Sequence, residues 1–184
     1  MLPPGETVLV TLRLPGTLPA ATTRALAADL RQAQATGLDH HRAQKAFFAK
    51  FDAALDGATS GPHYFENEKL ADALAGEIMM LEETGFVVHG FAILPGHAHL
   101  VLHLPARSGL ALAKALDLLH QRTAAVCRRL VRPKLPPESP FWQPGWHDLP
   151  VADAAELTRV LAYVRGQARQ AGLPQRFQEW PYEL

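Results

Sequence analysis

Phe91-Ala-Ile-Leu-Pro-Gly-His-Ala-His-Leu-Val-Leu-His-Leu-Pro105 alternates from His97 onward. Period-two alternation marks a β-strand whose successive side chains face opposite ways. His97, His99, Val101 and His103 share one face, while Ala98, Leu100, Leu102 and Leu104 share the other. The second set is apolar enough to bury, so the histidines look onto a surface where chemistry can occur. Residues two apart on a strand lie about 7 Å apart at Cα, close enough for two imidazoles to meet on one cation. His103 sits about 13 Å beyond His99 and is out of reach of that cation. Upstream, Phe86 to Leu94 reads as another strand, joined to the first through Pro95-Gly96 as an antiparallel hairpin, although proline does not suit the first position of the primed turns.

Working outward, Glu6 to Leu14 sets Val8, Val10, Leu12 and Leu14 against Thr7, Leu9, Thr11 and Arg13, a strand with one firmly buried face that Pro15-Gly16 ends. Residues 20–36 and 39–55 read as helices, the second with an aromatic stripe of Phe47, Phe48, Phe51 and Leu55 assigned to core packing. A helix follows over 67–84, with Leu70, Leu74, Ile78 and Leu81 inward and Gly85 at its left-handed end. Ser108 is placed to cap a helix from Gly109 to about Val131, whose end carries Arg128, Arg129, Arg132 and Lys134. Those cations serve either the helix dipole or phosphate contact. After an extended aromatic segment, Phe141 to Asp148, Asp153 and Glu156 form a capping box for a last helix that Gly172 ends.

The chain has 184 residues, 48% hydrophobic and 20% charged, which suits one domain with a substantial core. Net charge is zero, but residues 1–104 carry 7 Lys and Arg against 11 Asp and Glu, while 105–184 carry 11 against 7. A phosphate-binding surface is therefore expected mainly from the second half. Cys127 is the only cysteine, which excludes an intramolecular disulfide and a multi-cysteine zinc site. There is no apolar run of membrane-spanning length and no signal-peptide pattern, so a cytoplasmic location is expected.

On the last helix, Leu157, Val160, Leu161 and Val164 mark the buried face. Tyr163 falls outside that stripe, flanked by Arg159, Gln167 and Gln170. On a continuous helix Gln167 would project together with Tyr163, one turn apart. Two strand histidines and a polar-face tyrosine are what metal-assisted phosphodiester transfer needs: a divalent cation to polarise the phosphate, and a phenol to attack phosphorus.

The order of these motifs resembles the REP-associated tyrosine transposases, within the HUH single-strand DNA endonucleases. Leu94-Pro95-Gly96-His97-Ala98-His99 resembles the family's Met-Pro-Asn-His-x-His. Trp142-Gln143 matches its Trp-Gln, with Asp148 where an acidic residue is usual. Tyr163, Gln167-Ala168 and Ala171-Gly172-Leu173 resemble its nucleophile motif, Phe51-Asp52, Leu55-Asp56 and Gly61-Pro62 a segment of one branch, and Trp180-Pro181 its tail. Gly96, His120 and Gln167-Ala168 depart from the usual Asn, Lys and Asn-Pro.

The resemblance implies an α+β fold: a ferredoxin-like antiparallel sheet with helices on one face, as a single domain over 1–184 with a helical insertion over 20–61. It implies a nuclease and strand transferase acting on single-stranded or hairpin DNA, as monomer or homodimer and without a membrane. Tyr163 would be the nucleophile, His97, His99 and Gln167 the ligands of Mg²⁺ or Mn²⁺, and Arg128, Arg129, Arg132, Lys134, Trp142 and Arg159 the DNA contacts. Trp142 and Trp146 are candidates to stack on bases, with core packing expected for at least one. The alternatives are a hairpin binder that does not cut, and a zinc hydrolase built on His97 and His99.

Overall fold

The computed structural model describes residues 5–170 apart from Leu38 and Ser108. The expected Ser108 cap, the Ala171-Gly172-Leu173 match and the Trp180-Pro181 tail fall outside the described residues.

Four strands form one antiparallel sheet: β1 (Glu6–Arg13), β2 (Val87–Leu94), β3 (His97–Leu104) and β4 (His147–Val151), in spatial order β2-β3-β1-β4. Between them run α1 (Ala20–Ala35), α2 (His40–Asp56), α3 (Glu68–Met79) and α4 (Leu112–Leu130), and α5 (Ala154–Arg165) and the short α6 (Gln167–Gln170) come after β4. The expected hairpin is present, with Leu94 opposite His97 across Pro95-Gly96. β3 is central because both of its faces are apolar enough to bury, whereas the short β4 takes the edge.

The alternation read from the sequence sets the two sides of the sheet. Val8, Val10 and Leu12 of β1 join Ala98, Leu100, Leu102 and Leu104 of β3 in the main core, which α3 and α4 close with Leu70, Leu74, Ile78, Leu116 and Leu119. These crossover helices occupy one face, as a ferredoxin-like arrangement requires. On the opposite face, the expected insertion helix and last helix cover Leu9, Ala92, Leu94 and Val101 with Phe48 of α2 and Leu157, Val160, Leu161 and Val164 of α5. Left open, that apolar patch would face water.

Three boundaries differ from the sequence reading. The helix expected over 67–84 ends at Met79 and finishes in a 3₁₀ turn, Glu82–Thr84, before Gly85 takes the expected left-handed conformation at φ 91°. In the segment expected to be extended from Phe141 to Asp148, only His147 onward pairs as strand. The last helix is interrupted at Gly166, where glycine's backbone freedom disfavours a helix interior and its N–H is shared between the carbonyls of Ala162 and Tyr163; the short α6 follows, and the expected end at Gly172 falls outside the described residues.

Candidate functional site

β3 delivers two imidazoles to the α2/α5 side of the sheet, their ring centres 5.0 Å apart and nearly perpendicular. Thr11 of β1 lies directly opposite His99, and its Oγ1 is 3.0 Å from His99 Nδ1. With that nitrogen protonated and donating to Thr11, Nε2 is left with a lone pair for a cation. Burial beside His99 holds the His97 imidazole well below the usual histidine range, so His97 is neutral and able to ligate.

The third group comes from α2. Lys45, Phe48, Asp52 and Asp56 recur at intervals of three or four residues and so make one stripe. Phe48 packs over the sheet, its ring centre 6.4 Å from that of His99, and this seats Asp52 with Oδ1 3.1 Å from His99 Nε2. Asp52, His97 and His99 are all buried, and one ligand atom from each lies within 4.8 Å of the others. The Asp52–His99 approach is not aligned as a hydrogen bond: both carboxylate oxygens of Asp52 and both Nε2 atoms are buried without hydrogen-bond partners. Leaving such groups unpaired is costly, and one divalent cation would satisfy all three side chains. The donor set, two imidazoles and a carboxylate, suits a divalent metal.

Sequence reading gave Asp52 no role. The available signal was a carboxylate between Phe51 and Leu55 within an apolar stripe, where an unpaired charge is not stable. Gln167, the expected third ligand, follows the break at Gly166. It is fully buried, and its Nε2 donates to Asp56 Oδ1 at 2.6 Å. Its amide nitrogen thus ties α6 to α2, while its Oε1, like the Asp52 oxygens and the two Nε2 atoms, is buried without a hydrogen-bond partner. Burial, with the nearby Asp52 charge, pushes the Asp56 carboxyl up to about 6, against the lowering effects of His99 and the Gln167 bond.

Tyr163 is half-buried and packs against the same apolar group as Leu157, Val160 and Leu161, nearer the core than its helical position implied. Its ring centre lies 6.3 Å from that of His99, edge toward face. At the other end of α5, the Asp153 cap forms as expected, accepting from Glu156 N at 2.7 Å. The Glu156 carboxylate reaches back to Ala152 N and pairs with Lys45 and His41 of α2. α2 thus grips the tyrosine helix at its start through Lys45 and beyond its end through Asp56.

The expected DNA contacts separate into two groups. Trp142 is 5% exposed, stacked on His120 at 5.2 Å and packed against Phe65, and it donates Nε1–H to Thr123 Oγ1 at 2.8 Å. It is a core residue with no free face for a base, which corrects that expectation. Trp146 is half-buried against the same core. Arg128 donates to the carbonyls of Ser139, Pro136 and Pro137, pinning the loop after α4. Arg132 uses Nη1 on the carbonyls of Arg129 and Val131 but is exposed. Arg129, Lys134 and Arg159 are exposed. His147 lies under Phe51 at 3.9 Å, and burial beside Arg13 lowers it to about 4. Gly96, where the resembled family has Asn, is closely packed: a Cβ would meet Thr17 Cγ2 at 3.0 Å and the Pro62 carbonyl at 3.4 Å.

No family model and no curated protein matches the chain. Among solved structures, a REP-associated tyrosine transposase bound to a REP hairpin is similar at a TM-score of 0.56 and 11% identity, over 100% of this chain and 78% of that one. That likeness is one of fold.

Proposed function

We propose that the chain is a metal-dependent nuclease and strand transferase for single-stranded or hairpin DNA, working through a phosphotyrosine. The observation that carries this reading is the Tyr163 ring lying 6.3 Å from His99, a member of the buried Asp52, His97 and His99 group. Its fold likeness to a transposase that binds a REP hairpin agrees with the substrate class.

Asp52, His97 and His99 would hold Mg²⁺ or Mn²⁺, which supplies charge stabilisation to a scissile phosphate and its leaving oxygen. Thr11 keeps His99 turned toward that position. Tyr163 Oη forms the new bond to phosphorus and gives up its proton to solvent. The P–O bond to the 3′ oxygen breaks, and that oxygen takes a proton and leaves as a 3′ hydroxyl. The 5′ phosphate stays on Tyr163, conserving the bond for rejoining without a nucleoside triphosphate. Arg129, Arg132, Lys134 and Arg159 are the exposed cations available to the DNA backbone.

The test is incubation of labelled hairpin DNA with protein and Mn²⁺, followed by a denaturing gel. A protein-linked strand is expected from wild type and not from Tyr163→Phe. Absence of any adduct from the wild type on palindromic DNA flanking its own gene would overturn the nuclease reading. Tight hairpin binding equal in both proteins would then favour a binder that does not cut, and metal-dependent hydrolysis surviving in Tyr163→Phe would favour a zinc hydrolase.

A further inference from the structure

Beside the metal-ligand group the surface opens into a cleft of about 60 Å³. His97 forms part of its wall, so whatever occupies the cleft lies against the candidate centre. Leu55, Leu94 and Pro95 give it apolar sides, and Asp56 and His63 are among its polar groups, with Thr17 and Ser60. Asp56 is held in place there by the amide of Gln167, which engages one of its two oxygens, Oδ1. His63 pairs loosely with Glu66, at 3.4 Å, and is 43% exposed.

His63 also lines a second, wider cleft of about 420 Å³, whose walls include Tyr64, Asn67, Leu130 and Arg132. A narrow slot with apolar sides and a carboxylate therefore meets a broad polar trough with a guanidinium, and the meeting point is one imidazole. The combination has the form of a nucleotide: a flat base needs apolar walls and an edge-on acceptor, and the backbone leaving it needs a cation.

Resting on the nuclease reading, we propose that the slot between Leu55, Leu94 and Pro95 receives the nucleobase adjoining the scissile phosphate, with the backbone continuing past His63 to Arg132. The carboxylate of Asp56 accepts a hydrogen bond from the exocyclic amine of that base, so adenine, cytosine or guanine is favoured over thymine. A side chain at 96 would press on Thr17 and His63, which line the slot.

The test measures single-turnover adduct formation on a hairpin oligonucleotide whose two nucleotides flanking the cut are each varied among the four bases and an abasic spacer. An abasic spacer at one flank, and only there, is expected to slow wild type by about tenfold, a loss of the size expected for one bound base. At that flank Asp56→Asn should lose the preference for an exocyclic amine, and Ser60→Tyr, which crowds the exposed rim, should slow all bases to the abasic rate. Mn²⁺ affinity, read by calorimetry, should be unchanged in Ser60→Tyr. Wild type that forms adduct equally fast with abasic spacers at both flanks overturns the slot and leaves the nuclease reading standing. If wild type forms no adduct at all, the nuclease reading fails, and anisotropy binding of the same oligonucleotides decides the slot. Affinity lost at one abasic flank supports it, and affinity unchanged at both overturns it.

Discussion

Asp52 Oδ1 stands 3.1 Å from His99 Nε2, although the two residues come from a helix and a strand separated in sequence by the whole of α3 and β2. Both atoms are buried, and neither is satisfied by a hydrogen bond. A cation between them and His97 relieves that cost, so Asp52→Ala should weaken Mn²⁺ binding by roughly 100-fold or more, and Thr11→Val by about tenfold through loss of the His99 anchor. Isothermal titration calorimetry checks both; wild-type affinity in Asp52→Ala would remove Asp52 from the centre.

Tyr163→Phe removes a hydroxyl and keeps the ring that packs against His99. Its Mn²⁺ affinity should be unchanged, while adduct formation disappears. Adduct retained at the wild-type level would mean that another residue carries the nucleophile.

The Trp142–Thr123 bond gives a stability prediction with a DNA readout. Thr123→Val leaves the buried Trp142 Nε1–H without its acceptor, at a cost of about 1–3 kcal/mol. Thermal unfolding should show a fall of several degrees, about 2–4 °C for each kcal/mol in a chain of this size. Hairpin affinity of the folded variant should match wild type; a large loss of affinity would restore Trp142 as a DNA contact.

Two histidines make the fold sensitive to acid. Burial lowers His120 to about 4 against a weaker opposing pull from Asp117, and burial with Arg13 lowers His147 to about 4. Both are neutral in the folded chain where the unfolded chain would take up protons. Their contribution is complete above pH 6.5, declines as pH falls below it, and is gone near pH 4. Denaturant unfolding from pH 7 to 4.5 should show stability falling with pH, and His120→Phe, which keeps an aromatic ring against Trp142, should flatten the slope. A slope unchanged by that substitution would argue that His120 titrates normally.

The hairpin, the histidine pair and the Asp153 cap were legible because each is written within a few consecutive residues: an alternation, a turn dipeptide, a capping pattern. Three strands and the helices between them were read in the same way, and the ferredoxin-like arrangement was implied by the resemblance their motifs carry. Asp52 was not legible as a ligand, because its partners are set by how α2 lies across the sheet, and local periodicity says only that the residue falls near an apolar stripe. The hydrogen bond of Gln167 to Asp56 was not legible because the helix was read as continuous, whereas Gly166 interrupts it and Gln167 is buried. Arg128 and Trp142 have side chains that suit DNA as well as they suit a loop carbonyl or a core threonine, and only their tertiary partners distinguish those roles.

The stripe of Lys45, Phe48, Asp52 and Asp56 ties the candidate centre to the assembly of the chain. One helix face touches α5, the sheet, the histidines and α6, so the ligand pocket exists only after segments from both ends of the sequence have come together. A metal that binds this pocket recognises the native state and not the unfolded chain, and each increment of free ion should raise the unfolding temperature. At a hundredfold excess over the dissociation constant the gain is about 2.7 kcal/mol. Metal affinity is then a gauge of native assembly as well as of catalytic readiness, and a chelator would act on this protein as a mild denaturant.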